Sequence, residues 1–169
     1  MKTVIAGPIL ASPPRQPFSP KPVPGSSLQR TILVMNDPTC PIEIQNLDVR
    51  IRAGEPGTPQ ARGAGLEQIL TLKANHPVTV YTGKYLYFDV LNHMMQSTAF
   101  KEVHDINTGE VHPLDRVDWD PGKVLTQLRD WLTTVVYIEE VRTNDGHVWS
   151  YNQNLIEGEL DRRGFKDYR

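Results

Sequence analysis

The side chains in this sequence with the most chemistry to offer are two imidazoles and a neighbouring carboxylate: His104, Asp105 and His112. Asp115, Asp118 and Asp120 follow closely. Imidazole and carboxylate together suit zinc, iron or manganese, so a divalent metal is the one cofactor these residues suggest. The spacing matches no helical or hairpin chelate, and adjacent strand residues such as His104 and Asp105 point to opposite faces. The alternative is that all are polar residues of loops and strand edges, with no cofactor. Asp118, Asp120 and Gly122 approach a calcium loop, but Gly122 comes one position early, Pro121 intrudes and the closing glutamate is missing. Tyr81, Tyr85 and Tyr87 form the second group. Alternation places Tyr85 and Tyr87 on one face, where an exposed stripe would stack on sugar rings or anchor a protein partner. Such residues can instead cover a sheet face under a loop or pair with neighbours across strands.

Nucleophilic catalysis finds little support. The sequence has no Gly-x-Ser-x-Gly elbow, and Ser12, Ser19, Ser26 and Ser27 lie in a proline-rich stretch unsuited to holding a nucleophile. Cys40, between Thr39 and Pro41, has no evident helix N-terminus or cation to activate it, so it reads as a small structural thiol. As the one cysteine it excludes an internal disulfide and multi-cysteine zinc frameworks. Gly63-Ala64-Gly65 lacks a following lysine and precedes a strand, which excludes a phosphate cradle.

The scaffold for these side chains begins at Gln29, where the pattern takes a period of two. Thr31 to Met35 predicts a strand stopped by Asn36-Asp37-Pro38. Ile42 and Ile44 alternate, and the pattern resumes one step out of phase at Leu47, Val49 and Ile51, which predicts a bulge at Asn46. Residues 53–65, rich in glycine and proline, read as a long loop. Strands follow at Ile69 to Leu72 and Val78 to Tyr81. Thr82-Gly83-Lys84 then reads as a tight connection to Tyr85 through Leu91, with Leu86, Phe88 and Val90 opposite Tyr85, Tyr87 and Asp89. Phe100 to Ile106 is a weaker strand ended by Asn107-Thr108-Gly109. Helical spacing over Val124 to Leu132 predicts one short helix. Val135 to Arg142, Asn144-Asp145-Gly146 and His147 to Tyr151 predict a hairpin, its first strand central at the N-terminal end, where both faces are apolar. Residues 153–169 fit either a short amphipathic helix, weakened by Gly158 and Gly164, or a frayed tail.

Half of the 14 prolines precede Gly25. Proline removes a backbone donor and favours extended polyproline geometry, so residues 1–27 read as a disordered proline-rich arm. Within it, Lys2 and the apolar run Val4 to Ala11 trace a degenerate export signal broken by Gly7-Pro8. The domain proper is then 28–152, with 153–169 as a C-terminal tail or short helix. About seven short strands, turn signals and little helix predict a mainly β fold, an antiparallel β-sandwich of immunoglobulin-like type. The stretch Val136-Tyr137-Ile138-Glu139-Glu140-Val141-Arg142 followed by Asp145-Gly146-His147-Val148-Trp149 resembles the closing hairpin of uncharacterised bacterial immunoglobulin-like β-sandwich domains. The resemblance implies a sandwich fold and an exported protein, periplasmic or secreted, and brings no activity with it.

A chain of 169 residues suits one domain plus tails. Its 38% hydrophobic content is low, consistent with a stretch that does not pack. A net charge of -2 argues against nucleic-acid binding and against anionic membranes. No apolar run approaches the ~20 residues of a membrane-spanning helix. No feature fixes the oligomeric state. Together these features point to a non-enzymatic interaction module with a protein partner at the bacterial cell envelope. Two alternatives stand beside it: a small metal-binding protein or metal-dependent enzyme using His104, Asp105 and His112, and a carbohydrate-binding module using an exposed tyrosine face.

Overall fold

The computed structural model describes residues 4–6, 9–11, 30–52, 65–118 and 130–169, and the chain is mainly β with a C-terminal helix. The strands are β1 (Val4–Ala6), β2 (Ile9–Ala11), β3 (Thr31–Asn36), β4 (Ile42–Arg52), β5 (Gly65–Ala74), β6 (Val78–Asp89), β7 (Met94–Ile106), β8 (Val111–Asp118), β9 (Trp131–Thr143) and β10 (Val148–Ser150), followed by α1 (Gln153–Arg162). The large sheet runs β1-β2-β3-β9-β6-β7, with β10 also paired to β9, and β4-β5-β8 form the small sheet.

Alternation explains how these sheets pack. One set of side chains on the large sheet, including Val34, Tyr85, Tyr87, Phe100, Val136 and Ile138, joins Ile42, Ile44, Leu47, Leu70, Leu72 and Leu114 of the small sheet in one buried cluster. The opposite set, Leu33, Met35, Leu86, Phe88, Val135 and Tyr137, packs under Ile156, Leu160 and Phe165 at the C-terminus. The large sheet is therefore covered on both faces, and its inner strands are apolar on both sides as buried strands must be. The expected split of Leu86 and Phe88 from Tyr85 and Tyr87 is present, and the β4 register shifts between Ile44 and Asn46, where the hydrophobic phase slips.

Several expectations are corrected. The sheets are not wholly antiparallel: β3 pairs β9 in parallel, Leu33 opposite Val135 and Val34 opposite Val136. β3 and β10 share one side of β9, β3 along Thr133–Tyr137 and β10 along Glu140–Arg142. Thr82-Gly83-Lys84 is not a connection, because β6 runs unbroken from Val78 to Asp89. Trp131 and Leu132 do not end a helix but open β9, while Val124 to Arg129 lie outside the described residues. The arm is not wholly outside the sheet. The apolar run that outlines an export signal pairs as β1 with β2, and β2 continues onto β3 through Leu10–Asn36 and Ala11–Met35. Short apolar segments on either side of Gly7-Pro8 meet the needs of a hairpin, and the prolines cluster after them. Residues 12–27 lie outside the described residues, as do residues 53–64 of the loop expected over 53–65, while Gly65 opens β5.

The C-terminal segment resolves as helix rather than frayed tail. The Asn152 side chain accepts from the Asn154 N–H at 3.1 Å and caps α1. Glu159, buried on the helix, accepts from Arg162 Nη2 at 2.6 Å and Arg163 Nε at 2.5 Å. Burial alone would push its carboxyl up, but the two guanidiniums outweigh that and hold it below the usual range. Past the helix, the Met94 N–H donates to the Lys166 carbonyl at 3.1 Å, and His93 Nδ1 meets Asp167 at 2.5 Å, which fastens the last residues to the β6–β7 turn.

Candidate functional site

The tyrosines proposed as a binding face are core residues. Tyr81, Tyr85 and Tyr87 are 0%, 0% and 1% exposed. Tyr85 lies 5.1 Å from the Phe100 ring and 6.5 Å from Tyr87, and Gln68 Nε2 donates to the Tyr87 hydroxyl between the sheets. Tyr85 and Tyr87 do share a face, but it is the one that closes on the small sheet. The exposed tyrosine platform for a sugar is therefore corrected. Period-two patterning reports that residues share a face and is silent on whether a second sheet covers it.

The histidines fare differently. His104 is an exposed residue of β7, next to the register shift between Val103 and Ile106, and His112 stands opposite Leu72 on the inward face of β8. β7 and β8 are the last strands of their sheets, and the two rings meet where these strands approach each other, 4.5 Å apart and stacked at 26°. Asp105 is exposed and forms no metal-holding group with them. Among the described residues no group of three histidine, cysteine, aspartate or glutamate side chains could hold a metal ion, so the set of His104, Asp105 and His112 is corrected to a pair. Burial, then His104, lowers the His112 pKa, against the opposing pull of Glu110 and Glu102. Glu110 is held in the turn after β7, where it accepts from the Asn107 N–H at 3.0 Å. Asp115 is an exposed residue of β8, and Asp120 lies outside the described residues.

Cys40 is a buried residue of the β3–β4 loop, and that burial pushes its thiol up to about 12. A thiol so strongly held in its protonated form is a packing group rather than a nucleophile.

Concave surface with polar chemistry lies at one end of the two sheets. Three connections enclose a cleft of about 600 Å³: β3–β4 with Thr39 and Pro41, β5–β6 with His76 and Pro77, and β9–β10 with Asn144, Asp145 and His147. Thr143 and Trp149, the strand residues flanking the last turn, complete its lining. Gly146 takes φ +87, the left-handed conformation that lets β9 reverse into β10 over so short a turn. Trp149 also packs against the main core and is held in place: its Nε1–H donates to Thr39 Oγ1 at 3.1 Å, and Thr39 Oγ1 donates to Asp37 at 2.7 Å. The turn is tied to the β5–β6 loop by the Asn144 N–H to the Pro77 carbonyl at 3.1 Å, and to the start of β6 by Thr79 Oγ1 donating to Asn144 Oδ1 at 2.6 Å. Asp145 accepts from Thr143 Oγ1 and from the His147 N–H, bonds that lower its pKa. The cleft thus combines a fixed indole, two imidazoles and an ionised carboxylate. Its lining spans residues 39 to 149, and sequence reasoning missed it because no local motif joins the three loops.

No family model and no curated protein matches this chain. It is similar to an X-ray structure at 1.85 Å of a hypothetical protein from Peptoclostridium difficile 630, with a TM-score of 0.49 and 11% identity, covering 73% of this chain and 91% of that one. Among the described residues no helix is long and apolar enough to cross a membrane.

Proposed function

We propose that this chain is a non-enzymatic β-sandwich module of immunoglobulin-like type that binds a protein partner in the cleft at the β3–β4, β5–β6 and β9–β10 end. The observation that carries the reading is the Trp149 side chain, fixed by Thr39 at the lining of a cleft built wholly from loops and strand ends. Tryptophan is enriched among residues that dominate protein interfaces, and loops on a rigid two-sheet frame are a common place for binding surface. A pre-set ring spares a partner the cost of ordering it.

The test is site-specific photo-crosslinking in the cells that make the protein. A benzophenone amino acid in place of His76 or His147 should yield a discrete protein adduct. The same group at Leu91, an exposed residue of the β6–β7 turn at the far end of β6, should yield none. Equal adducts from both ends, or adducts at Leu91 alone, count against the cleft as the binding surface.

A further inference from the structure

We propose that the loop-end cleft takes a cationic side chain, arginine or lysine, presented by a separate protein partner; this rests on the reading of that cleft as the binding surface. The cleft is asymmetric in charge. Among the described residues Asp145 is the one carboxylate of its lining, and no lysine or arginine lines it. The turn engages Asp145 through Oδ1, which accepts from Thr143 Oγ1 and from the His147 N–H at 3.2 Å, and Oδ2 takes part in neither bond. No ion pair to Asp145 occurs among the described residues. Both turn bonds favour the ionised carboxylate, and the His147 imidazole adds a favourable charge interaction, so a negative charge stands at the cleft with no lysine or arginine paired to it among the described residues.

Trp149 supplies the second half of the recognition. Its indole N–H is already committed to Thr39, so what it can offer a ligand is the π surface rather than a donor. A π face attracts cations, arginine above all, and a neighbouring carboxylate accepts the guanidinium or ammonium hydrogens. Pro41 and Pro77 add apolar wall for the aliphatic stem that both side chains carry. An acidic ligand would meet Asp145 directly, and a purely apolar one would desolvate it without return.

The experiment uses the full chain, an array of 15-residue peptides of varied sequence, and solution titration of the peptides that bind, with their site mapped by amide and indole NMR. Asp145→Asn is the informative variant, because asparagine keeps the Oδ1 acceptor that the turn uses while removing the charge. Bound peptides should share an arginine or lysine whose change to glutamine weakens binding about tenfold, and Asp145→Asn should weaken the parent peptide by a similar factor. The two changes together should cost little more than either alone, which marks a direct pair. Peptides that perturb His147 and Trp149 yet need no basic residue overturn the cation and leave the cleft reading standing. Peptides that bind only elsewhere, or no binding at millimolar concentration, overturn both. Tighter binding by a synthetic peptide of residues 12–24, which carries Arg15 and Lys21, overturns the separate partner in favour of this chain's own segment. Saturable binding of methyl glycosides in the cleft, with no competing peptide, overturns the cation as well.

Discussion

A Cβ on Gly83 would fall 2.7 Å from the Tyr137 carbonyl oxygen and against the ring of Phe100. Glycine in mid-strand ordinarily weakens a sheet, and here it persists because Phe100 fills the space a side chain would need. Gly83→Ala should therefore destabilise rather than stabilise, by about 1–3 kcal/mol from overpacking, read as a lower urea midpoint. A midpoint equal to or above that of the parent chain would contradict this packing. His112 makes a second residue-scale prediction, about pH. It faces His104, Glu110 and Glu102, and burial followed by His104 lowers its pKa in the fold. The unfolded chain accordingly takes up this proton at a higher pH than the folded one. The stability His112 contributes is complete above the ordinary imidazole range and is lost as pH falls through that range toward the folded value. Urea midpoints taken from about pH 7.5 to pH 5 should decline, and His112→Gln should flatten the decline. An unchanged slope would place the titrating group elsewhere.

At the scale of elements, α1 is the cover of an otherwise open sheet face. Its inward residues Ile156 and Leu160, with Phe165 beyond, lie on Leu33, Met35, Leu86 and Phe88, and the Phe88 and Phe165 rings are 4.3 Å apart. Leu160 is 1% exposed, so Leu160→Ala should cost about 2–5 kcal/mol in chemical denaturation, against well under 1 for the exposed Asn154→Ala. The elements differ in how far their sequence announces them. The β4 bulge was legible because a bulge leaves a mark in the hydrophobic phase at Asn46, and the β9–β10 hairpin because Asp145-Gly146 meets the backbone demand of a tight turn. Gly83 was misread because a glycine that admits a neighbouring ring and a glycine that turns the chain look alike in sequence. The N-terminal hairpin was hidden by its prolines, which discourage pairing only where they stand. The cleft left no trace because loop proximity follows from which strands pair, and pairing partners far apart in sequence carry no local signature. The parallel β3–β9 contact was missed for the same reason.

Taken as a whole molecule, the large sheet is a middle layer, with the small sheet on one face and the C-terminal segment on the other. Its central strands β3, β6 and β9 contribute alternate residues to both buried clusters, so neither cluster can loosen without disturbing strands the other needs. This coupling predicts one cooperative unfolding step rather than an independent two-sheet core with a detachable helix. Ending the chain after Tyr151 separates the two possibilities. It removes Ile156, Leu160 and Phe165 together and exposes Leu33, Met35, Leu86, Phe88 and Val135, an apolar patch on strands that have no polar face to present instead. The truncated chain should bind a hydrophobic dye and lose near-ultraviolet circular dichroism while keeping β signal in the far ultraviolet, the signature of secondary structure without fixed packing. A truncated chain with a sharp native-like transition and no dye binding would mean that the two-sheet core stands alone. The cleft is framed by strand ends of both sheets, so the ring of Trp149 should lose its fixed position in the truncated chain even though no cleft residue has been removed.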